Sequence, residues 1–288
     1  MSAKKLLIFN WKMAPDSLKE AISLFERTRT CADKTRNHAE TIIAPPFVYL
    51  SNLSKVKSSL FGRSPVGRQK SKVALAAQNV FWEDSVAYTG EISASMLKDL
   101  GVEYAIIGHS ERRKYLSAEG GFASGGNETD KMINKKILAS LKAGLKVILC
   151  VGEPTQRGQT RTERGLTRNI KWAKNYVKNQ LEKDLKNLIQ NLKPKTQNLI
   201  IAYEPLWSIG TGHSDAPQDA AEMINFIKNI LKAKTYNLKP KVLYGGSVNS
   251  KNIAKFLKHP EIDGALVGHA SLKPKEVKAI IEIASKMC

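Results

Sequence analysis

The sequence has few cysteines, and their arrangement excludes two classes of protein. Cys31, Cys150 and Cys288 are its only cysteines, and none belongs to a CxxC motif. Widely spaced cysteines of this kind build neither the disulfide framework of a small secreted domain nor a cysteine-ligated zinc site. They are typical of a reducing compartment, so we expect a cytoplasmic protein without a bound metal ion.

Long apolar runs are also missing. No run approaches the ~20 apolar residues that a membrane-spanning helix requires, and we expect no membrane partner. The run from Leu6 to Phe9 is short and leads directly into polar residues without a small-residue cleavage site. We therefore expect that this N-terminal stretch is not a signal peptide.

Acidic residues are scarce relative to basic ones. The chain has 26 Asp and Glu against 46 Lys and Arg, a formal charge of +20. Nucleic-acid binding is one interpretation of this charge, and it predicts strongly salt-dependent binding. The lysines are dispersed, however, as at Lys171, Lys174 and Lys178, and aromatic residues do not alternate with them. We expect no specific nucleic-acid partner and a positive field that favours capture of small anions.

Apolar, β-rich segments alternate along the chain with amphipathic segments at helical spacing. The clearest helical segments are Ser17–Thr28, Thr129–Ala143 and Gln218–Leu231. Strands that are apolar on both faces and alternate with helices indicate a parallel sheet. Eight such strands predict one α/β domain, a closed (β/α)8 barrel spanning residues 1–288. The predicted strands are Lys5–Trp11, Glu40–Ala44, Val73–Gln78, Tyr104–Ile107, Lys146–Val151, Asn198–Tyr203, Val242–Tyr244 and Gly264–Val267.

Two further features concern the connections between these elements. Asp16 or Ser17 is the expected cap of the first helix, and Asp215 is the expected cap residue before Gln218–Leu231. Three segments rich in Gly, Ser, Lys or Asn interrupt the alternation, and we expect them to be loop insertions in the single domain. They are Phe61–Lys72, Ser117–Asn127 and Asn187–Gln197.

Polar residues follow the predicted strands where a barrel of this type places its active site. The first strand ends at Asn10-Trp11-Lys12, and Lys12 is a candidate cation for a phosphate and a developing oxyanion. A surface lysine is the alternative. The fourth strand ends at His109, whose neutral imidazole can donate to a substrate carbonyl, whereas a structural histidine is the alternative. Glu111 is placed to pair with Lys12.

The sixth strand begins the segment LIIAYEPLWSIGTG. The first half of this segment is apolar and β-rich, and its composition changes abruptly at Glu204. Pro205 has no amide proton for the strand ladder and so ends the strand. A carboxylate fixed at a strand end and followed by an apolar, glycine-containing segment predicts a catalytic base beneath a closing lid. A solvated loop glutamate is the alternative.

Glycine turns follow the last two strands, in YGGSVN and ALVGHAS. Backbone amides at Ser247, Gly268 and His269 predict a phosphate site in the usual place for this fold. The sequence has no metal-ligand cluster, no Ser-His-Asp order and no GxGxxG after a strand. A base, an electrophile, a cation and a phosphate site together favour cofactor-free proton abstraction beside a carbonyl of a small phosphorylated substrate, through an enediolate.

Motifs over nearly the whole chain resemble those of the triosephosphate isomerase family. They include NWKM (Asn10–Met13), AQNV, AYTGEIS, IIGHSERR, ILCVGE, AYEPLWSIGTG, YGGSVN and DGALVG. The resemblance implies interconversion of dihydroxyacetone phosphate and D-glyceraldehyde 3-phosphate, in glycolysis and gluconeogenesis, without cofactor or metal. A glutamate base paired with a neutral histidine under a closing loop is an established feature of this family.

The resemblance also assigns roles to individual residues. Glu204 is implied to move the proton, His109 to polarise the carbonyl and Lys12 to stabilise charge, with Asn10 binding an oxygen. Ser110 is implied to hold Glu204 while the lid is open. The phosphate would be held by Gly210, Ser247, Gly268 and the backbone of His269. The family usually forms homodimers, in which Thr89 of the AYTGE loop reaches the Asn10 and Lys12 region of the neighbour.

The sequence departs from the family pattern at several positions. Phe9 replaces a glycine, Ala14 an asparagine, and His213 a lysine at the lid hinge. Two further departures concern the expected dimer. Val86 replaces a glycine near Thr89, and Ser117–Asn127 is an insertion. The resemblance therefore does not fix the detailed dimer geometry.

His269 replaces the second glycine of the phosphate turn, and its added Cβ predicts a weaker but retained phosphate grip. Two alternatives stay open: a catalytically impaired phosphate-binding barrel with an interaction role, and a different phosphosugar isomerase. Retention of Asn10, Lys12, His109 and Glu204 disfavours the first, and the AYEPLWSIGTG lid disfavours the second.

Overall fold

A computed structural model describes most of the chain. The described residues are 4–35, 39–59, 73–85, 87–114, 128–154, 161–162, 165–166, 169–188, 198–209, 214–233 and 239–287. The predicted insertions at 61–72 and 117–127, and most of that at 187–197, lie outside these ranges. Val86, Gly210 and His213 also lie outside them, so the expectations for these positions stay predictions.

The described residues form a closed barrel of eight parallel strands. Each strand pairs with the next along the chain, and the first pairs with the last, with Leu6 opposite Gly264 and Phe9 opposite Val267. The predicted (β/α)8 architecture is confirmed. The strands are β1 Lys5–Asn10, β2 Ala39–Ala44, β3 Val73–Ala77, β4 Tyr104–Ile107, β5 Lys146–Val151, β6 Leu199–Tyr203, β7 Lys241–Tyr244 and β8 Gly264–Val267.

Helices connect the strands and cover the barrel. None of the helices in the described ranges combines the length and apolarity needed to cross a membrane. A short antiparallel ribbon pairs Arg161–Thr162 with Gly165–Leu166, and a 3-10 turn spans His269–Leu272. The α-helices of the described chain are α1 Leu18–Lys34, α2 Phe47–Ser59, α3 Ala94–Asp99, α4 Ser110–Lys114, α5 Asp130–Lys142, α6 Ile170–Asp184, α7 Pro217–Lys232, α8 Ile253–Leu257 and α9 Pro274–Ser285.

Both helix starts have the expected residues in their cap regions. The Ser17 side chain accepts a hydrogen bond from the backbone amide of Glu20 and so caps α1. Asp215 is not the N-cap of α7, because Ala216 occupies that position without a side-chain cap bond. Pro217 begins the helix and holds the residue before it in extended conformation. Asp215 instead accepts a hydrogen bond from the Ala216 amide at 2.9 Å.

Alternating side chains of the strands build two apolar layers. Leu7 and Phe9 belong to the larger layer, between the barrel and the helices, and both are fully buried. Phe9 is therefore accommodated outside the barrel interior. The side chains of the interior form a separate cluster that includes Leu6, Ile8, Ile42, Ala76, Ile106, Ile148, Cys150, Ala202, Leu243 and Leu266. Strands buried on both faces hold the strand ends in fixed positions.

Candidate active site

A cavity of about 780 Å³ opens at the carboxyl ends of the strands. Its lining comes from the segments that follow β1, β4, β6, β7 and β8. The barrel therefore brings together residues that are up to 266 positions apart in the sequence, from Asn10 to Glu276. The predicted site residues among the lining are Asn10, Lys12, His109, Glu204, Ser247, Gly268 and His269.

The chain turns sharply after β1 to direct Lys12 into this cavity. Lys12 has a left-handed backbone with φ of 56°, which is costly for a residue with a Cβ. Its amide donates to Asn10 Oδ1 at 3.0 Å. The Gln78 side-chain amide donates to the Lys12 carbonyl at 2.7 Å and to the Ala44 carbonyl at 2.9 Å. These hydrogen bonds stabilise the unusual backbone conformation.

The Lys12 ammonium forms an ion pair with Glu111, as the sequence predicts. Both side chains are partly exposed, so the pair is screened by water and salt. A Cβ on Gly268 would lie 3.2 Å from Lys12 Cε. The glycine therefore leaves room for the lysine stem beside the turn after β8.

The hydrogen-bond pattern of His109 indicates its tautomer. The Glu111 backbone amide, in the first turn of α4, donates to His109 Nδ1 at 3.3 Å. Nδ1 is therefore the acceptor, and in the neutral ring the hydrogen is on Nε2. Nε2 lies 3.3 Å from Glu204 Oε1, inside the cavity. A neutral imidazole held in this way presents a donor to the space beside Glu204.

Glu204 is almost completely buried, with 1% of its surface exposed. Its Oε2 accepts a hydrogen bond from the Ser110 backbone amide at 2.9 Å, whereas its Oε1 accepts none from the described residues. The contact expected of Ser110 is thus made by its amide, and its hydroxyl has no partner in the described part of the chain. One carboxylate oxygen is held by the Ser110 amide, and the other lies beside His109 Nε2.

The neighbouring strand ends pack closely around Glu204. A Cβ on Gly152 would lie 1.7 Å from the Glu204 carbonyl oxygen, and a Cβ on Gly245 would lie 2.9 Å from Glu204 Cγ. Cys150 is fully buried on the interior side, and burial together with the Glu204 carboxylate raises the pKa of its thiol. The thiol therefore stays neutral beside the carboxylate.

A buried carboxylate also holds the start of the predicted lid. The Tyr203 hydroxyl donates to both oxygens of Glu153, at 3.0 and 3.2 Å, and Trp207 Nε1 donates to Oε1 at 3.2 Å. The Leu206 amide donates to the Glu153 carbonyl at 3.0 Å. Glu153 thus fixes the residues on both sides of Glu204.

Side chains tie together the two turns expected to bind phosphate. Ser208 Oγ accepts a hydrogen bond from the Ser247 amide at 3.2 Å. Glu276 accepts hydrogen bonds from both the amide and the hydroxyl of Ser250, at 2.8 and 3.0 Å. Ser271, in the turn after β8, donates to the Asn10 carbonyl at 2.9 Å. Hydrogen bonds therefore link the segments that follow β1, β6, β7 and β8 to one another or to adjacent elements.

Comparison with known proteins gives a concordant result. The family model described as triosephosphate isomerase matches residues 5–284. A triosephosphate isomerase of Dictyoglomus thermophilum is 39% identical over 289 residues, covering 97% of this chain and 99% of the relative. Those of Alkaliphilus oremlandii and Synechocystis sp. are 36% and 39% identical, each covering 96% of this chain and 98% of the relative. The chain belongs to the triosephosphate isomerase family.

The departures from the triosephosphate isomerase pattern occupy different environments. Phe9 lies in the apolar layer behind the strand, away from the cavity. Ala14 lines the cavity, and so does His269, which is exposed in the 3-10 turn. The predicted effect of His269 on the phosphate grip stays a prediction. Thr89 is exposed in the turn that follows Val86.

Sequence reasoning missed several residues of this triosephosphate isomerase site. Gln78 and Glu153 lie in the motifs AQNV and ILCVGE, and that position was the only signal for them. Arg113 belongs to the motif IIGHSERR, and that position was the only sequence signal for it. Asp184 has no sequence signal that marks it as part of the site. Among the described residues, no His, Cys, Asp and Glu side chains are grouped in threes that could hold a metal ion.

Proposed function

We propose that this chain interconverts dihydroxyacetone phosphate and D-glyceraldehyde 3-phosphate with its own side chains, without cofactor or metal. The observation that carries the proposal is the arrangement of Glu204 and His109. The Oε1 atom of a buried carboxylate, without a hydrogen-bond partner among the described residues, lies 3.3 Å from His109 Nε2, whose ring accepts a hydrogen bond at Nδ1. The family of the chain supports the same reaction.

In the proposed reaction Glu204 first acts as a general base. Oε1 takes a proton from the substrate carbon that bears the hydroxyl group beside the carbonyl. The electrons of the broken C–H bond form a carbon–carbon double bond, and the carbonyl oxygen gains negative charge. Glu204 then returns the proton to the former carbonyl carbon. The hydroxyl hydrogen moves to the former carbonyl oxygen, with His109 Nε2 in reach to pass it between the two oxygens, so that the former hydroxyl carbon becomes the new carbonyl.

His109 and Lys12 stabilise the charge that develops on oxygen in this step. The hydrogen on His109 Nε2 is donated to the carbonyl oxygen, and Lys12 provides a fixed positive charge across the cavity. Asn10 is placed as a further oxygen ligand, while its own side chain holds the Lys12 amide. Glu111 supports the set by pairing with Lys12 and by donating its amide to His109.

Ser110 and the turns after β7 and β8 complete the proposed site. The Ser110 amide holds Glu204 Oε2 before substrate binds, so the carboxylate must move from it as the lid closes. The phosphate lies against Ser247, Gly268 and the backbone of His269, where backbone amides favour an anion. The Ser247 amide, which donates to Ser208 Oγ in this structure, would exchange that bond for the phosphate. Gly210, outside the described residues, would donate from the lid.

We also propose a homodimer, in which Thr89 reaches the Asn10–Lys12 segment of a second copy. Tyr88 and Met13, in these two segments, are 52% and 95% exposed. Apolar side chains exposed in this way are typical of surfaces that another protein covers. Sedimentation tests the proposal, and a fully active monomer would contradict the role of Thr89.

A cytoplasmic location and a place in glycolysis and gluconeogenesis complete the proposal. Cys31 and Cys150 are both free thiols, which fits a reducing compartment.

The substrate is tested with D-glyceraldehyde 3-phosphate, by coupling formation of dihydroxyacetone phosphate to its reduction. The assay contains EDTA, and a parallel reaction in D₂O measures deuterium in the product. We expect turnover that EDTA leaves unchanged, with deuterium on the carbon that receives the proton. A folded chain that binds inorganic phosphate without turnover would favour the impaired barrel. Nothing in the site or the comparisons supports that alternative.

A further inference from the structure

A guanidinium group lies beneath the strand ends that carry the reacting side chains. Arg113, in α4, has only 11% of its side chain exposed. It donates hydrogen bonds to the carbonyls of Gly108 and Cys150, at 2.8 and 3.1 Å. It also donates to the carboxylates of Asp184 and Asp130, at 2.5 and 3.0 Å. One side chain thus joins the ends of β4 and β5 to two helices.

The two carbonyls belong to residues adjacent to the reacting groups. Gly108 directly precedes His109 in the chain. Cys150 lies in β5 against Glu204, and Gly152 two residues later packs under the Glu204 backbone. A guanidinium that holds both carbonyls therefore fixes the spacing between the strand end that carries His109 and the one that supports Glu204.

The backbone of Gly108 is shaped around Arg113. Its φ is +71°, in the left-handed region, and a Cβ there would lie 2.7 Å from Arg113 Nη2. The positive φ favours glycine at this position. A Cβ there would also force the guanidinium to shift from the place where its hydrogen bonds hold it.

Asp184 supplies the counter-charge from the last turn of α6. Its side chain is fully buried, and its Oδ1 has no hydrogen-bond partner among the described residues. Gln180, one turn earlier, accepts a hydrogen bond from the Gly152 amide at 2.9 Å. Two residues of one helix face therefore support the ends of β4 and β5 together.

Burial of such a pair is expensive, and apolar replacements often cost no stability. We propose that Arg113 and Asp184 form a positioning pair that sets the geometry of His109 against Glu204. This inference rests on the proposed isomerase reaction. Within the described part of the chain, the side-chain hydrogen bonds of Arg113 go to Gly108, Cys150, Asp130 and Asp184, and none reaches the turns after β7 and β8 that the phosphate would occupy. It acts on the proton-transfer step and leaves phosphate binding unchanged.

The first test is Arg113→Met, compared with Arg29→Met as a matched control. Arg29 also pairs with an aspartate, Asp33 at 3.4 Å, but on α1. Because displacements near 1 Å are costly in proton transfer, we expect kcat to fall about tenfold or more in Arg113→Met. Competitive inhibition by inorganic phosphate should stay within about twofold of the native value. The control variant should retain native kcat.

A second test uses the titration of Asp184. Burial raises the pKa of its carboxyl to about 7, although the Arg113 guanidinium opposes the rise. Asp130 and Lys183 are the other charged groups that act on it, and they have opposite effects. Below this pH the native carboxyl is protonated, so Arg113 loses Asp184 as a charged partner and keeps Asp130. Asp184→Asn should therefore match native kcat near pH 5.5 and fall about threefold or more below it at pH 8.5.

A purely structural role of Asp184 would lower kcat of the variant equally at every pH. The pH dependence of the kcat ratio between Asp184→Asn and native protein therefore separates a structural role from a positioning role. A measurement without turnover is the ¹⁵N shift of the His109 imidazole, which should differ between native and Asp184→Asn protein at pH 8.5 and coincide at pH 5.5. That shift decides the inference even if the native chain does not isomerise triose phosphates, or if Arg113→Met fails to fold. The inference is overturned if the kcat ratio between Asp184→Asn and native protein does not change with pH and the ¹⁵N shift of His109 is the same in both. It is also overturned if Arg113→Met loses kcat and phosphate inhibition to the same extent.

Discussion

Replacement of Gly245 by alanine tests whether the position of the Glu204 carboxylate limits the reaction. The added Cβ would lie 2.9 Å from Glu204 Cγ and 3.3 Å from the Tyr203 carbonyl oxygen. Carbon atoms in contact prefer about 3.5–4.0 Å, so the Glu204 side chain must move by roughly 0.6–1.1 Å. The Tyr203 carbonyl oxygen, 3.3 Å from the new Cβ, is also closer than ordinary contact and limits how far the backbone at residue 245 can shift instead.

A displacement of this size predicts that kcat falls about 10- to 100-fold in Gly245→Ala. Overpacking should also lower the free energy of unfolding by about 1–3 kcal/mol. The coupled isomerisation assay gives kcat, and inhibition by inorganic phosphate should change little because the clash lies beside the carboxylate.

Gly144→Ala is the matched control for lost stability. Gly144 has φ of +81° and lies in the loop before β5, with its nearest contacts at 3.8 Å. Alanine there costs about 1 kcal/mol through its backbone conformation and should leave kcat unchanged. Native kcat in folded Gly245→Ala protein, or an equal fall in the control, would refute the reasoning.

Three further variants test other parts of the structure. Gln78→Met removes both side-chain hydrogen bonds of Gln78 that hold the turn at Lys12. We expect about tenfold lower kcat and a free energy of unfolding that is lower by about 1–3 kcal/mol. An unchanged kcat would contradict this expectation. Thr41→Val replaces a fully buried hydroxyl without a partner in the described chain, so urea unfolding should show a gain of about 1 kcal/mol, and a loss would be contrary evidence. His269→Gly should lower the inhibition constant of inorganic phosphate about threefold if the side chain crowds the turn; a higher constant would show that the imidazole assists binding.

The barrel was predictable because its signal is local and repeated. Each strand is buried on both faces and so appears as a continuous apolar run, and each is followed by a helix. Helix ends were less predictable: α1 continues to Lys34, beyond the predicted end at Thr28, since Ala32 is buried against the barrel.

The site was predictable where its residues follow strand ends, as Lys12, His109 and Glu204 do. The pairing of Glu111 with Lys12 was also predicted. The supports from Gln78, Arg113 and Asp184 were not, because each bridges elements that are distant in the sequence. Gln78 joins β3 to the turn after β1, across 66 positions. Asp184 meets Arg113 across 71 positions. A buried polar side chain on a helix gives no sequence pattern that distinguishes such a partner from a surface residue.

The most direct test of the central claim is isomerisation of D-glyceraldehyde 3-phosphate by the native chain and by Glu204→Gln. The substitution keeps the shape of the side chain and its oxygen facing the cavity, but it removes the basic carboxylate. Loss of a general base typically costs about 10²–10⁴-fold. We expect rapid native turnover and a loss of at least this size in the variant, with inhibition by inorganic phosphate retained. Equal turnover in both proteins, or none in folded native protein, would contradict the account.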